Sequence, residues 1–111
     1  MPIYLDHAAT TPMRREVFDA MLPFLTESYG NPSSAHSFGR ATRSALDEAH
    51  ERVGHALNAE GREIVFTSGG TEANNLALKG AAWAGKARGH RIVTSAVEHH
   101  AVGHTLRYPA T

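Results

Sequence analysis

The sequence has no cysteine, which removes disulfides, thiolate metal sites and any cysteine nucleophile. An excess of charge of either sign is also missing. Eleven Lys and Arg stand against 11 Asp and Glu, so there is no electrostatic footprint for nucleic acid or an anionic membrane. Long apolar runs are absent: the longest, Ala81 to Ala84, has four residues and cannot span a bilayer. Lysine is scarce, limited to Lys79 and Lys86. Met1-Pro2-Ile3-Tyr4-Leu5-Asp6 lacks the basic start and apolar stretch of a secretory signal. The expectation is a soluble cytoplasmic protein.

What is present is the material of one domain or part of one: 111 residues, 12.0 kDa and 41% apolar residues. A compact monomer of that mass exposes about 6,000 Å². Ile3-Tyr4-Leu5 reads as a short strand. Thr11 then reads as an N-cap with Pro12 at the first helical position. Val17, Phe18, Met21, Leu22 and Leu25 supply an apolar face, and Pro23 is expected to kink or split that helix. A second helix is predicted from about Ser37 to Leu57, where Thr42, Leu46, Ala49 and Val53 recur at helical steps, with Asn58 and Gly61 marking its stop. Ile64-Val65-Phe66 and Arg91-Ile92-Val93-Thr94-Ser95 read as strands. They flank a helix from about Thr71 to Trp83, and a short helix follows from Glu98 to about Arg107. Strand, helix, strand with a glycine turn is a parallel βαβ pattern, so the two strands are expected to be near neighbours in one sheet. Three short strands bury both faces of such a sheet poorly, which points to an incomplete domain. The division expected is an N-terminal segment and first helix over 1–30, then the start of a larger domain over 31–111 with no internal linker.

Three motifs can carry chemistry. In Thr67-Ser68-Gly69-Gly70-Thr71-Glu72 the glycines let backbone N–H groups approach a ligand, the following helix turns its positive end to the same place, and Thr71 adds a hydroxyl. That is a phosphate cradle without the Walker or dinucleotide glycine pattern. A tight turn capped by Thr71, with nothing bound, is equally open. In Glu98-His99-His100-Ala101-Val102-Gly103-His104 the four-residue step puts His100 and His104 on one helix face, with Glu98 or His36 as a further ligand. Two ordinary histidines in a His-rich chain are the plainer reading, and no metal centre is assigned. His99, just past the end of a parallel strand, falls where ligands of open α/β sheets sit. Asp6-His7-Ala8-Ala9-Thr10-Thr11-Pro12 and Gly30-Asn31-Pro32-Ser33-Ser34-Ala35-His36 read as turns when taken alone.

In series, these segments resemble one family. Tyr4 to Pro12, Gly30 to His36, Glu63 to Asn75 and Glu98-His99, in this order and spacing, look like the N-terminal part of a cysteine desulfurase. Cysteine desulfurases fall in the class V aminotransferase group of fold-type-I pyridoxal-phosphate enzymes. The resemblance covers nearly the whole chain. It implies an α/β fold, the N-terminal part of an αβα large domain with a mostly parallel sheet and flanking helices. It also implies pyridoxal 5'-phosphate as cofactor, L-cysteine as substrate, a homodimer, and an iron–sulfur scaffold or tRNA-thiolation protein as sulfur acceptor. By motif position Gly70 and Thr71 hold the cofactor phosphate. His99 stacks on the pyridine ring and serves in proton transfer, and the His7–Thr10 loop lies near the substrate. The family's Schiff-base lysine, pyridine-nitrogen aspartate, substrate-binding arginine and persulfide cysteine fall further along its chain, so these 111 residues are expected to be inactive alone. A selenocysteine lyase or another class V aminotransferase is the near alternative. A small non-enzymatic phosphate- or zinc-binding domain is the distant one.

Overall fold

In the computed structural model, which describes residues 2–89 and 91–107, the chain folds as two units, one through Ile64 and one from Val65 onward.

The first unit opens with a stapled loop. The Ala9 and Thr10 amides donate to the Asp6 carbonyl at 3.1 and 3.4 Å. The Tyr4 hydroxyl reaches the Asp6 and Thr10 carbonyls at 2.9 and 3.2 Å. Helix α1 spans Arg15–Thr26, with Arg14 as an extended N-cap that makes no side-chain cap. The Thr11–Pro12 start is therefore corrected. Pro12 and Met13 lie outside the helix, whose first turn carries Arg15 and Glu16. The split expected at Pro23 is corrected too, since α1 runs through it. Pro23 stands in the last turn, so its missing N–H forfeits a single bond, to Asp19. Its own carbonyl takes the Glu27 and Ser28 amides at 2.9 and 2.8 Å.

The Gly30–His36 loop is built against the start of α2, Ser37–Leu57. Asn31 Oδ1 accepts from the Ser33 amide at 2.8 Å, and His36 Nδ1 accepts from the Gly39 amide at 3.3 Å, capping α2. A Cβ on buried Gly39 would fall 2.2 Å from the Ser34 carbonyl oxygen, so glycine is required there by close approach. On the wet side Arg52 meets Glu48 at 2.5 Å and Arg43 meets Asp47 at 2.9 Å. Asn58 closes α2 in the left-handed conformation (φ 55, ψ 43), as its position predicted. The chain then folds back as a 3₁₀ turn, Gly61–Glu63, against α2, with His50 Nδ1 3.2 Å from the Gly61 carbonyl.

The second unit holds α3, Gly70–Ala84, and α4, His100–Leu106, packed on each other. Ala101 and Thr105, one turn apart on α4, are buried, and the Thr105 hydroxyl donates to the Ala101 carbonyl at 2.7 Å.

No β-ladder forms among the described residues. The strand readings at Ile3–Leu5, Ile64–Phe66 and Arg91–Ser95 and their expected parallel pairing are thus corrected: these segments are extended or irregular. The reason is the one that marked the domain as incomplete. A parallel strand needs neighbours and cover on both faces, and three segments of three to five residues supply neither. The surface agrees. Val17, Phe18, Met21 and Leu22 on α1 are each at least 40% exposed, as the incomplete-domain reading expected. No helix among the described residues is long and apolar enough to cross a membrane.

Candidate functional site

The glycine turn leads straight into α3, whose N-cap is Gly69 and whose first residue is Gly70. Thr71 is therefore the second helical residue, and its expected capping role is corrected. The first intrahelical hydrogen bond comes from the Ala73 amide to the Gly69 carbonyl, at 3.1 Å. The N–H groups of Gly70, Thr71 and Glu72 lie ahead of the ladder, where they carry the positive end of the helix dipole. A Cβ built on Gly69 or Gly70 would meet nothing within 4 Å. Gly69 is extended (φ 162, ψ −179) and Gly70 is helical, both conformations open to any residue. Neither glycine is demanded by the chain's own packing. What both preserve is open access to the backbone amides, the property a bound phosphate uses.

Glu72 is tied back to Ser68. Its Oε2 accepts from the Ser68 amide at 2.8 Å and from the Ser68 hydroxyl at 2.6 Å. These bonds, the hydroxyl first and the amide second, hold the Glu72 carboxyl below its ordinary value of 4.5. The side chain acts as a capping box displaced by one residue, gripping the residue before the N-cap. Asn75 adds a donor to the Thr71 carbonyl at 2.9 Å. Sequence reasoning missed the Glu72 clamp because the Ser-to-Glu step is four residues, where the standard box has three.

His99 is the N-cap of α4, and its Nδ1 accepts from the Ala101 amide at 3.1 Å. In the neutral ring this places the proton on Nε2 and fixes the imidazole relative to the helix. The ring is exposed, and the His100 ring lies 6.2 Å away, tilted by 56°. Because α3 and α4 pack together, Gly70, Thr71 and His99 all stand at the N-termini of two touching helices of one unit. The capping role of His99 was not foreseen, nor that of His36, because histidine is outside the usual N-cap set of Ser, Thr, Asp and Asn.

The His7–Thr10 loop belongs to the first unit, where Tyr4 meets His7 edge-on with ring centroids 5.1 Å apart. His100 and His104 share a face as predicted, with ring centroids 5.3 Å apart. No group of three or more metal-ligating side chains comes together among the described residues. A cavity of about 480 Å³, lined by Leu78, Ala81, Ala82, Lys86, Arg88 and Ile92, lies at the far end of α3 from Thr71.

The family described as "Aminotransferase class-V" matches residues 3–107. The chain is 60% identical over 100 residues to the cysteine desulfurase IscS of Dictyoglomus turgidum, covering 90% of this chain and 25% of that protein. It is 54% identical over 106 residues to the cysteine desulfurase IscS of Clostridium botulinum (strain Kyoto / Type A2), covering 96% and 27%. Among solved structures, a NifS-like protein superposes with a TM-score of 0.88 at 39% identity, covering 97% of this chain and 30% of that one. The chain spans about a quarter of the length of the curated relatives it matches. The fold class is accordingly α/β. Helices α1 to α4 follow the course of part of that larger fold, and its sheet is not assembled among the described residues.

Proposed function

Because the chain belongs to the class V aminotransferase family, we propose that it is the part of a cysteine desulfurase that seats pyridoxal phosphate through Gly70, Thr71 and His99. The observation that carries this reading is the open glycine turn at the start of α3. Two glycines that neither backbone strain nor packing requires leave the amides of Gly70 and Thr71 uncovered. The family is one of pyridoxal-phosphate enzymes, and the donor set fits the cofactor's phosphate: unladdered N–H groups, a hydroxyl on Thr71 and a helix dipole. Names given to the relatives favour the desulfurase over a selenocysteine lyase or another aminotransferase. A free-standing zinc domain needs three or more ligating side chains together, and none are grouped so among the described residues.

The roles of the chain's own groups follow from their positions. Gly70 and Thr71 amides donate to phosphate oxygens, and the Thr71 hydroxyl adds a third donor. Glu72 holds the turn through Ser68 and so fixes where those amides point. His99, pinned through Nδ1, offers a flat face to a flat ring and carries a proton on Nε2 for exchange with a reacting group. When bound, the cofactor supplies an electron-withdrawing ring that stabilises negative charge at the substrate's α-carbon. The substrate in this reading is L-cysteine, in a cytoplasmic homodimer, and sulfur passes to an iron–sulfur scaffold or a tRNA-thiolation protein. A thiol acceptor is not among these residues, since the chain has no cysteine.

The test is a transplant. This chain replaces the matching segment of the Dictyoglomus turgidum desulfurase, and alanine release from L-cysteine is measured. Turnover within about tenfold of the parent is expected. A folded, cofactor-loaded chimera that transaminates other amino acids but leaves cysteine intact would contradict the desulfurase reading.

A further inference from the structure

His100 and His104 are left over from the cofactor reading, and the structure gives them a definite relationship. They stand four apart on α4, both exposed, with ring centroids 5.3 Å apart and planes 39° from parallel. A zinc–imidazole bond of about 2.05 Å puts the ion roughly 3.2 Å from each ring centroid. Two such rings at a tetrahedral angle have centroids about 5.2 Å apart. The observed separation equals the spacing a shared ion requires, and rotation of these two exposed side chains turns one nitrogen of each ring toward the common point. Solvent reaches both rings, so water can complete the coordination shell. The neighbouring His99 is committed through Nδ1 to the Ala101 amide. With no third protein ligand among the described residues, two imidazoles and water make the whole site.

We propose that His100 and His104 form a two-imidazole site for a borderline divalent cation, Zn²⁺, Ni²⁺ or Cu²⁺. The cation ties together one turn of α4. That turn contains Gly103, whose backbone is otherwise the least helix-favouring in the segment, so occupation also raises the helical order of α4.

The experiment titrates ZnCl₂ into the 111-residue chain, following imidazole nitrogen and α4 backbone resonances. The expected result is one equivalent shifting His100 and His104 together, ahead of the other histidines, with α4 amides gaining exchange protection. Both H100Q and H104Q change exposed side chains, and each should weaken Zn²⁺ by about tenfold or more. The exchange H104R/R107H keeps eight histidines but sets the pair about 10.5 Å apart along the axis, and it should lose the site equally. Unchanged affinity in H104Q, an affinity retained by the exchange, or separate titration of the two rings would each overturn the proposal.

Discussion

Glu72 holds Ser68 by two hydrogen bonds to a single carboxylate oxygen, from the amide at 2.8 Å and from the hydroxyl at 2.6 Å. This clamp fixes the glycine turn from the helix side. Its consequence is a pH dependence with a definite sign. The carboxyl lies below 4.5 in the folded chain, so its contribution is complete above that value and is lost as pH falls through the lowered folded value. A carbon-13 titration of the Glu72 carboxyl should show a midpoint below 4.5, and the Ser68 amide should lose exchange protection over the same range. A midpoint at or above the ordinary value would mean that the clamp is not populated.

Gly70 separates folding from ligand access. Its backbone is helical and an added Cβ meets open space, so G70A is expected to leave stability unchanged or raise it by up to about 1 kcal/mol. Under the cofactor reading the same methyl group crowds the phosphate, and affinity for pyridoxal phosphate in the transplanted enzyme should fall about tenfold or more. Paired thermal melts and cofactor titrations check this. Loss of stability with unchanged affinity would reverse the assignment.

Gly39 should behave in the opposite way. A Cβ there falls 2.2 Å from one backbone oxygen and 2.7 Å from another, those of Ser34 and Asn31. G39A should therefore pry the Gly30–His36 loop from α2 and cost about 1–3 kcal/mol. Circular dichroism melts and the loss of the His36 cap, read from the Gly39 amide shift, test it.

The α1 face predicts association. Val17, Phe18, Met21 and Leu22 expose 46%, 42%, 40% and 41% of their surface, a contiguous apolar stripe of the kind that drives self-assembly. Sedimentation of the isolated chain should show species heavier than 12.0 kDa whose share grows with concentration. F18S/L22S should reduce them. A sharp monomer with a cooperative thermal transition would contradict the reading of this surface.

How far the sequence could be read depends on where each element finds its partners. Helix α2 was legible to its ends because its signals are local: three- and four-residue apolar steps, and Asn58 at the stop. The glycine turn was legible as the start of α3 because its signal lies in a few consecutive residues, whereas a cofactor role for Gly70, Thr71 and His99 rests on the proposal. Strands at Ile64–Phe66 and Arg91–Ser95 were read from composition, but a ladder is a non-local object and its neighbours are not among these residues. The start of α1 went astray because Thr11–Pro12 is a good local cap signal that the folded chain does not use. Both histidine caps were hidden in the same way, since a ring nitrogen reaching a nearby amide leaves no periodic trace.

Lys79 offers a chemical check on the isolated chain. It lies on α3 eight residues after Thr71, about 12 Å along the helix. Lys86 follows beyond the helix end. Borohydride reduction of the chain mixed with pyridoxal phosphate should leave no single lysine labelled stoichiometrically, and no alanine should form from cysteine. Stoichiometric labelling of one lysine together with alanine release would mean that these residues are catalytically sufficient.

The most direct measurement of the central claim is the dissociation constant of pyridoxal phosphate in the Dictyoglomus turgidum desulfurase carrying this chain, compared across T71A, H99A and H7A. Loss of a phosphate donor or of the ring's stacking partner should weaken binding about ten- to a hundredfold, about 1.4 to 2.7 kcal/mol by affinity arithmetic, while H7A stays near the parent. The account is contradicted if T71A and H99A bind the cofactor as tightly as the parent.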